Sequence, residues 1–317
     1  MNTSFKQRVV ISAPYFQPVV ERFRAAFEER GIEIVVPVVH ERLEESELLR
    51  IMPNIDGIIC GDDRFTSRVL ESCTKLKVIS KWGTGIDSID QDFCRKNGIA
   101  VCNTPNAFTV PVSDTVLAYA LAFCRNVSSM DFAMKQGTWK KIPGFTLSEA
   151  TVGIIGVGNI GSAVAKKFSV FGARLLGYDI KDISSELKKN TGLVSVSLDD
   201  LLRQSDIVSV NCDLNVSSKH LIREKTLALM KKNSFFINTA RGPIVNEKDL
   251  CNALSERRIA GAALDVFEEE PLPEESPLRK MNNVFLAPHN SNSSPTAWEY
   301  VHQNTMNNLF RELAKHD

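Results

Sequence analysis

The chain has 317 residues, of which 43% are hydrophobic, and its 38 basic residues equal its 38 acidic ones. That length accommodates two domains of ordinary size with sizeable cores, which excludes a disordered or fibrous protein. A net charge of zero supplies no field to attract nucleic acid or an anionic membrane, so neither is expected as a partner.

The N-terminal stretch has no apolar segment of secretory length, and no run approaches the roughly 18 apolar residues that span a bilayer. The seven cysteines are scattered without a CxxC pair or a neighbouring histidine cluster, which argues against structural zinc and against a disulfide framework. No metal is expected, and the protein is expected to be cytoplasmic.

In chain order, residues 8–12, 32–36, 57–60 and 77–81 read as short β-branched strands. Between them, residues 18–30, 43–52 and 66–72 have helical apolar spacing. Alternation of this kind requires crossover connections and hence a mostly parallel sheet. Residues 111–125 form a helix that is apolar on most sides, read as a bridge between two domains buried against more than one element.

The most informative stretch follows. The apolar run 152–155 enters Gly156, Gly158 and Gly161 of a GxGxxG turn, residues 159–171 are helical, and the run 173–178 ends in Asp179, about 20 residues beyond the glycines. Strand, turn and helix in this order form a dinucleotide site. Gly156 permits the tight turn, Gly158 lets the backbone approach a pyrophosphate, Gly161 lets helix and strand pack closely, and the anion meets the helix N-terminus. An acidic residue at 179 would accept hydrogen bonds from ribose hydroxyls and repel a 2′-phosphate, so NAD is expected over NADP.

Strands at 207–211, 234–238, 261–264 and 283–287 alternate with helices at 198–203, 224–230 and 247–257, giving this second sheet six strands. The helix at 294–314, with Ser294 as N-cap and Pro295 at its first position, is expected to return to the first domain.

Ligands of open α/β sheets bind beyond the carboxyl ends of the strands, and three polar residues fall there: Arg241 in NTARG, Glu270 in DVFEEEP and His289 in PHN. Reducing a carbonyl requires a proton at its oxygen, which a histidine can donate. A carboxylate on the far ring nitrogen stabilises the imidazolium and fixes the tautomer, and an arginine binds a substrate carboxylate with its planar fork of donors. The other histidines, His40, His220, His302 and His316, are read as surface or packing residues.

Over nearly its full length the chain resembles the D-isomer-specific 2-hydroxyacid dehydrogenases, in the phosphoglycerate dehydrogenase-like branch that includes glyoxylate and hydroxypyruvate reductases. The likeness rests on GVGNIG with Asp179, on NTARG, on DVFEEEP, on Pro288 and His289, on KWGTGIDSID at 81–90 and on NTPN at 103–106. The resemblance implies an α/β fold of two doubly wound parallel-sheet domains. In it a Rossmann cofactor domain (103–289) is inserted into a flavodoxin-like substrate domain (1–102 with 290–317).

It further implies an NAD-dependent dehydrogenase in which His289 is the acid/base, Glu270 supports it and Arg241 binds substrate. Lys81, Gly83, Thr84 and Gly85 would hold the substrate carboxylate side. Asn159 and Ile160 would lie at the pyrophosphate, Asp179 at the ribose, and Cys212, Thr239, Ala240 and Arg241 along the dinucleotide, with Asp265 and His289 at the nicotinamide. The implied substrate is a small 2-hydroxy or 2-oxo acid: 3-phosphoglycerate, with Lys81 and Lys141 as candidate phosphate cations, or glyoxylate or hydroxypyruvate. A homodimer using 111–125, with Trp139 crossing from a partner subunit, and the lack of a serine-responsive regulatory module are also implied. The rival reading is an NAD(H)-sensing corepressor of the same fold.

The chain departs from the family pattern in three places. Residues 211–215 read Asn-Cys-Asp-Leu-Asn where His-x-Pro-x-Thr is common, Ser291 replaces a glycine and Ser88 an asparagine.

Overall fold

The computed structural model describes residues 5–316, which divide into two compact units. One comprises the residues up to 107 with those from 294 onward; the other is 108–293. The dividing points fall a few residues later than 102 and 289, for identifiable reasons. The Asn103 carbonyl accepts hydrogen bonds from Asn304 and Asn308 of the C-terminal helix, which keeps that segment with the first unit. The amides of Asn290 and Ser291 donate to Asp265, which keeps the chain after His289 with the second.

In the first unit the strands β1 (Gln7–Ile11), β2 (Ile32–Val35), β3 (Gly57–Cys60), β4 (Val78–Lys81) and β5 (Ala100–Cys102) form a parallel sheet of order β2-β1-β3-β4-β5. This is the flavodoxin-like order, with its switch point between β1 and β3. Every residue of β3 and β4 is buried, as expected for parallel strands covered on both faces.

Helices α1 (Arg24–Glu28), α2 (Glu45–Ile51), α3 (Ser67–Ser72) and α4 (Gln91–Lys96) belong to this unit. Leu48, Met52, Phe65 and Val69 pack with Ile58 and Ile79. The helix predicted over 18–30 is instead a 3₁₀ turn, Gln17–Arg22, followed by α1. Pro18 suits a tight first turn, and Phe23, at φ −112°, steps the chain out before the helix resumes.

The C-terminal helix (Pro295–Leu313) returns to this sheet, capped by the Ser294 hydroxyl with Pro295 in its first turn. The Ser80 hydroxyl donates to the Thr305 carbonyl, and a Cβ at Gly57 would lie 3.0 Å from Leu309 Cδ1. The Trp82 indole N–H donates to His302 Nδ1 at 3.0 Å, which places the imidazole proton on Nε2.

Burial pushes the pKa of His302 below 6.5; Glu299 pulls the other way, and Arg22 adds to the depression. As pH falls past 6.5 the unfolded chain therefore takes up this proton before the folded one does. The first unit is expected to lose stability below that point and to show no such dependence well above it. Thermal midpoints measured against pH for wild type and H302N check this: asparagine keeps an acceptor for Trp82 and removes the titration. The two curves should diverge only on the acid side, and parallel curves would refute the assignment.

The second unit holds β6 (Thr151–Ile155), β7 (Arg174–Tyr178), β8 (Val194–Ser195), β9 (Ile207–Val210), β10 (Phe235–Asn238), β11 (Gly261–Leu264) and β12 (Val284–Leu286). All are parallel, in the order β12-β11-β10-β9-β6-β7-β8. The six predicted strands are present, and the exposed two-residue β8 adds a seventh at the edge.

Its helices are α5 (Thr109–Cys124), α6 (Val127–Lys135), α7 (Asn159–Val170), α8 (Ser185–Thr191), α9 (Leu198–Gln204), α10 (Glu224–Leu227) and α11 (Glu247–Ser255). The mostly apolar α5, read from sequence as a bridge, contributes to this unit's core. Its Val116, Ala120 and Phe123 pack with Val164 and Phe168 of α7, and Phe123 stacks on Phe235 and Phe285 with ring centroids 4.4 and 4.5 Å apart. Strand order reverses between β6 and β9, so the crevice at the carboxyl end of β6 is the switch point where a dinucleotide-binding sheet takes its ligand.

Candidate active site

The carboxyl ends of adjacent strands carry the candidate residues in spatial sequence: Asp179 after β7, Gly156 after β6, Cys212 after β9, Thr239 to Arg241 after β10, Asp265 to Glu270 after β11 and His289 after β12. Sheet order alone thus gathers residues spread over 133 positions of sequence, from Gly156 to His289, along one edge.

The glycine turn is built as the dinucleotide motif requires. Gly156 has φ +82°, and a Cβ there would lie 2.5 Å from the Cys212 amide nitrogen. A Cβ on Gly161 would stand 2.0 Å from the Gly156 carbonyl oxygen, whereas one on Gly158 would have nothing within 4 Å. The first and third glycines are therefore fixed by the protein's own packing, while the second leaves open space at the start of α7, beside Asn159 and Ile160. Nearby, Asp179 accepts from the Val157 amide at 2.7 Å and from the Lys181 amide at 2.9 Å, which pins its carboxylate against the turn. On the same edge Thr239 Oγ1 is buried without a hydrogen-bond partner, a polar atom that a bound dinucleotide could satisfy. These features fit NAD.

Burial, with Asp213 and Asp179 adding to it, pushes the Cys212 thiol up to about 11, so it stays protonated at neutral pH and serves as a wall rather than a nucleophile. The 211–215 segment is shaped by its own polar side chains: Asn215 Oδ1 accepts from the amides of Ser217 and Ser218.

After β10 the Asn238 side chain closes the turn. Its Nδ2 donates to the Arg241 carbonyl at 3.0 Å and its Oδ1 accepts from the Ala240 amide at 3.1 Å. One guanidinium nitrogen of Arg241, Nη1, donates to the Ala240 carbonyl at 2.8 Å. After β11, Glu270 Oε1 accepts from the Phe267 amide at 2.9 Å, and its Oε2 lies 3.0 Å from His289 Nδ1. That contact assigns the Nδ1 proton to the carboxylate side of the ring and leaves Nε2 for chemistry.

The backbone under His289 is equally constrained. His289 has φ +50°, its amide donates to the Asp265 carbonyl at 2.8 Å, and the next two amides donate to the two Asp265 carboxylate oxygens at 2.8 and 2.9 Å. Asp265 is fully buried. Sequence reasoning placed this residue at the nicotinamide and missed that its carboxylate holds the histidine loop. The signal available was an acidic residue at the end of a wholly apolar strand, where only backbone amides could satisfy it. Ser291, where a glycine is common, is buried within this same turn.

In the first unit Gly83 has φ +128°, and its carbonyl accepts from the Thr104 amide at 2.8 Å. Thr84 Oγ1 donates to the Thr104 carbonyl, and Asn103 donates to the Thr84 carbonyl, so the 83–85 loop is tied down from residues 103 and 104. Lys81 does not stand open to an anion: its ammonium donates to Asp62 at 2.7 Å, and its side chain is only 5% exposed. Ser88, where asparagine is common, has a buried hydroxyl without a partner.

A nucleotide-binding turn at the switch point, with a histidine–carboxylate pair and an arginine on successive strands of one sheet, defines the class of NAD-dependent oxidoreductases acting on hydroxy and oxo compounds. Comparison with known proteins makes the class specific. Residues 117–291 match the model of the D-isomer specific 2-hydroxyacid dehydrogenase NAD-binding domain. The chain is 38% identical to a glyoxylate reductase of Thermofilum pendens over 87% of this chain and 85% of that one, and 36% identical to a D-3-phosphoglycerate dehydrogenase of Methanocaldococcus jannaschii over 80% and 49%. A solved D-lactate dehydrogenase from Aquifex aeolicus, complexed with NAD and lactic acid, superposes with a TM-score of 0.86 at 27% identity, covering 98% of this chain and 96% of that one.

The chain belongs to the D-isomer specific 2-hydroxyacid dehydrogenase family. It is an NAD-dependent 2-hydroxyacid oxidoreductase.

Proposed function

We propose that this enzyme reduces a small unphosphorylated 2-oxo acid of the glyoxylate or hydroxypyruvate kind, with His289 as the acid. The observation that carries the assignment is the 3.0 Å contact of His289 Nδ1 with Glu270, on the strand edge that also carries Arg241. NADH, when bound, supplies hydride to C2. The Arg241 guanidinium holds the substrate carboxylate and polarises the neighbouring carbonyl. His289 Nε2 gives its proton to the 2-oxo oxygen, while Glu270 keeps the ring oriented and balances its charge. In the first unit, the backbone amides of Gly83, Thr84 and Gly85, on a loop tied down from residues 103 and 104, are donors suited to a carboxylate.

The Lys81–Asp62 ion pair separates the candidate substrates. Lys81 was one of the two cations that a phosphate group would use, and its commitment to Asp62 weakens the case for 3-phosphoglycerate. Following NADH consumption over a panel of 2-oxo acids tests this. Glyoxylate and hydroxypyruvate should show higher kcat/KM than the 3-phosphorylated analogue. NADH should be preferred to NADPH by at least about tenfold at low concentration, because a 2′-phosphate meets the Asp179 carboxylate. Faster turnover of the phosphorylated acid would overturn the substrate reading, and equal use of NADPH the cofactor role of Asp179.

The finer reading also includes a homodimer. Helix α6 buries none of its residues, and Val127, Phe132, Met134 and Trp139, the last 88% exposed, leave an apolar surface suited to a second copy of the chain. We place the enzyme in the cytoplasm, where its seven free cysteines remain reduced. No helix among the described residues is long and apolar enough to cross a membrane.

A further inference from the structure

A second histidine–glutamate pair lies one loop away from the first. His220 Nε2 donates to Glu268 Oε1 at 2.6 Å, and the His220 amide donates to the Pro243 carbonyl at 2.9 Å. His220 holds φ +50°, a left-handed conformation uncommon among non-glycine residues. Its partner is equally engaged. Glu268 Oε2 accepts from the Glu247 amide at 3.3 Å, and the Glu268 amide donates to Glu247 Oε2 at 3.2 Å, so two glutamates exchange backbone amides for carboxylates across the start of α11.

Below them the chain passes at closest approach. A Cβ on Gly242 would lie 1.8 Å from the Phe267 carbonyl oxygen, which presses the turn after Arg241 directly onto the backbone of residues 267 and 268. Phe267 in turn donates its amide to Glu270 Oε1, and Glu270 Oε2 meets His289. His220, Glu268, the 267–270 backbone, Glu270 and His289 thus form one continuous series of contacts, with Gly242 joining it to the turn that carries Arg241.

We infer that His220 and Glu268 are positioning residues for the reaction: they lock the 267–270 loop against the 242–247 turn and so fix Glu270 on the His289 ring. The carboxylates around His220 explain why a hydrogen-bond donor is needed there. Four carboxylates, Glu247 and the consecutive Glu268, Glu269 and Glu270, crowd this loop; burial, reinforced by the last three, holds the Glu247 carboxyl above its ordinary value. Without a donor at His220, Glu268 would face Glu247 with no compensating proton, and the loop would relax away from Gly242. A misplacement of about 1 Å at a catalytic group costs as much as 10²-fold in rate.

This inference rests on the acid/base reading of His289, and its test separates the two. Ring-nitrogen signals of His289 are read by ¹⁵N NMR in histidine-labelled protein, which has five histidines, with H289N giving the assignment. Nothing in that measurement requires turnover. In E270Q the His289 signals report the broken pair. In H220A and E268Q they should move in the same direction, and H220Q, whose amide nitrogen occupies the place of Nε2, should restore them. In parallel, kcat for glyoxylate should fall by about tenfold in H220A with KM for NADH within about twofold of wild type, and recover in H220Q. Unmoved His289 signals in H220A and E268Q would overturn the inference. Moved signals in an enzyme that turns over none of the 2-oxo acids would uphold the positioning and sink the proposed function instead.

Discussion

The H289A enzyme should bind NADH as wild type does and reduce a 2-oxo acid at least about 10²-fold more slowly in kcat, the usual contribution of a positioned general acid. On the proposed reading the effect is on kcat, because the histidine's bond to substrate would strengthen as the carbonyl oxygen takes on negative charge, whereas the elements proposed to hold the dinucleotide, the glycine turn, Asp179 and the Thr239 edge, are left intact by H289A. One complication is conformational. His289 sits at φ +50°, where alanine is disfavoured and asparagine is tolerated, so H289N separates the loss of the proton donor from strain in the turn. Both variants should lose kcat alike while H289N keeps the thermal midpoint of wild type. A near-normal kcat in H289N would remove this residue from the proton path. A slow H289A beside an active H289N would instead mean that the Asp265-bound loop, and not the imidazole, is what the reaction needs.

How much of this could be read before the structure depends on whether the information is local. The glycine turn was legible because strand, turn and helix are contiguous, and because each glycine has its own steric reason: the Gly156 carbonyl under Gly161, Cys212 beside Gly156 and open space over Gly158. Arg241, Glu270 and His289 could be picked out by their place after successive apolar runs, since neighbouring parallel strands bring their carboxyl ends together. Some short elements were missed: strand β5 with three residues, the exposed β8 with two, and α4 with six, although α3 and β12 are no longer and were read. Helix α10, a single turn, ended three residues before its predicted limit of 230 because a lone turn is fixed by its packing against α11 and not by its own propensity. His220 was read as a surface or packing residue because its partner lies 48 positions away, and only the closeness of Gly242 to Phe267 brings the two together. The Lys81–Asp62 pair escaped notice for the same reason: β3 and β4 must pair before their ends can meet.

The glycine turn gives the second large effect, and two substitutions within it should behave in opposite ways. In G161A the new methyl group would meet the Gly156 carbonyl oxygen at 2.0 Å and its carbonyl carbon at 3.0 Å, backbone atoms that cannot rotate aside. Relief requires α7 to move off β6 or the turn to open, a loss of about 1–3 kcal/mol typical of overpacking. The thermal midpoint should fall by several degrees without ligand, and NADH affinity should fall at least about tenfold because the α7 amides shift with the helix. In G158A the methyl group meets no protein atom within 4 Å, so the free enzyme should melt as wild type does. Its cost appears only when NADH is added. Ligand at about 100 times its Kd stabilises a native state by about 2.7 kcal/mol, and G158A should lose most of that upward shift because the methyl group fills the space kept for the pyrophosphate. The contrast is the test, since both glycines lie in one turn and a general sensitivity of the loop would affect them equally. A G158A enzyme whose melting temperature rises with NADH as far as wild type's would place the pyrophosphate elsewhere, and a G161A enzyme of unchanged stability would mean that helix and strand have room to separate.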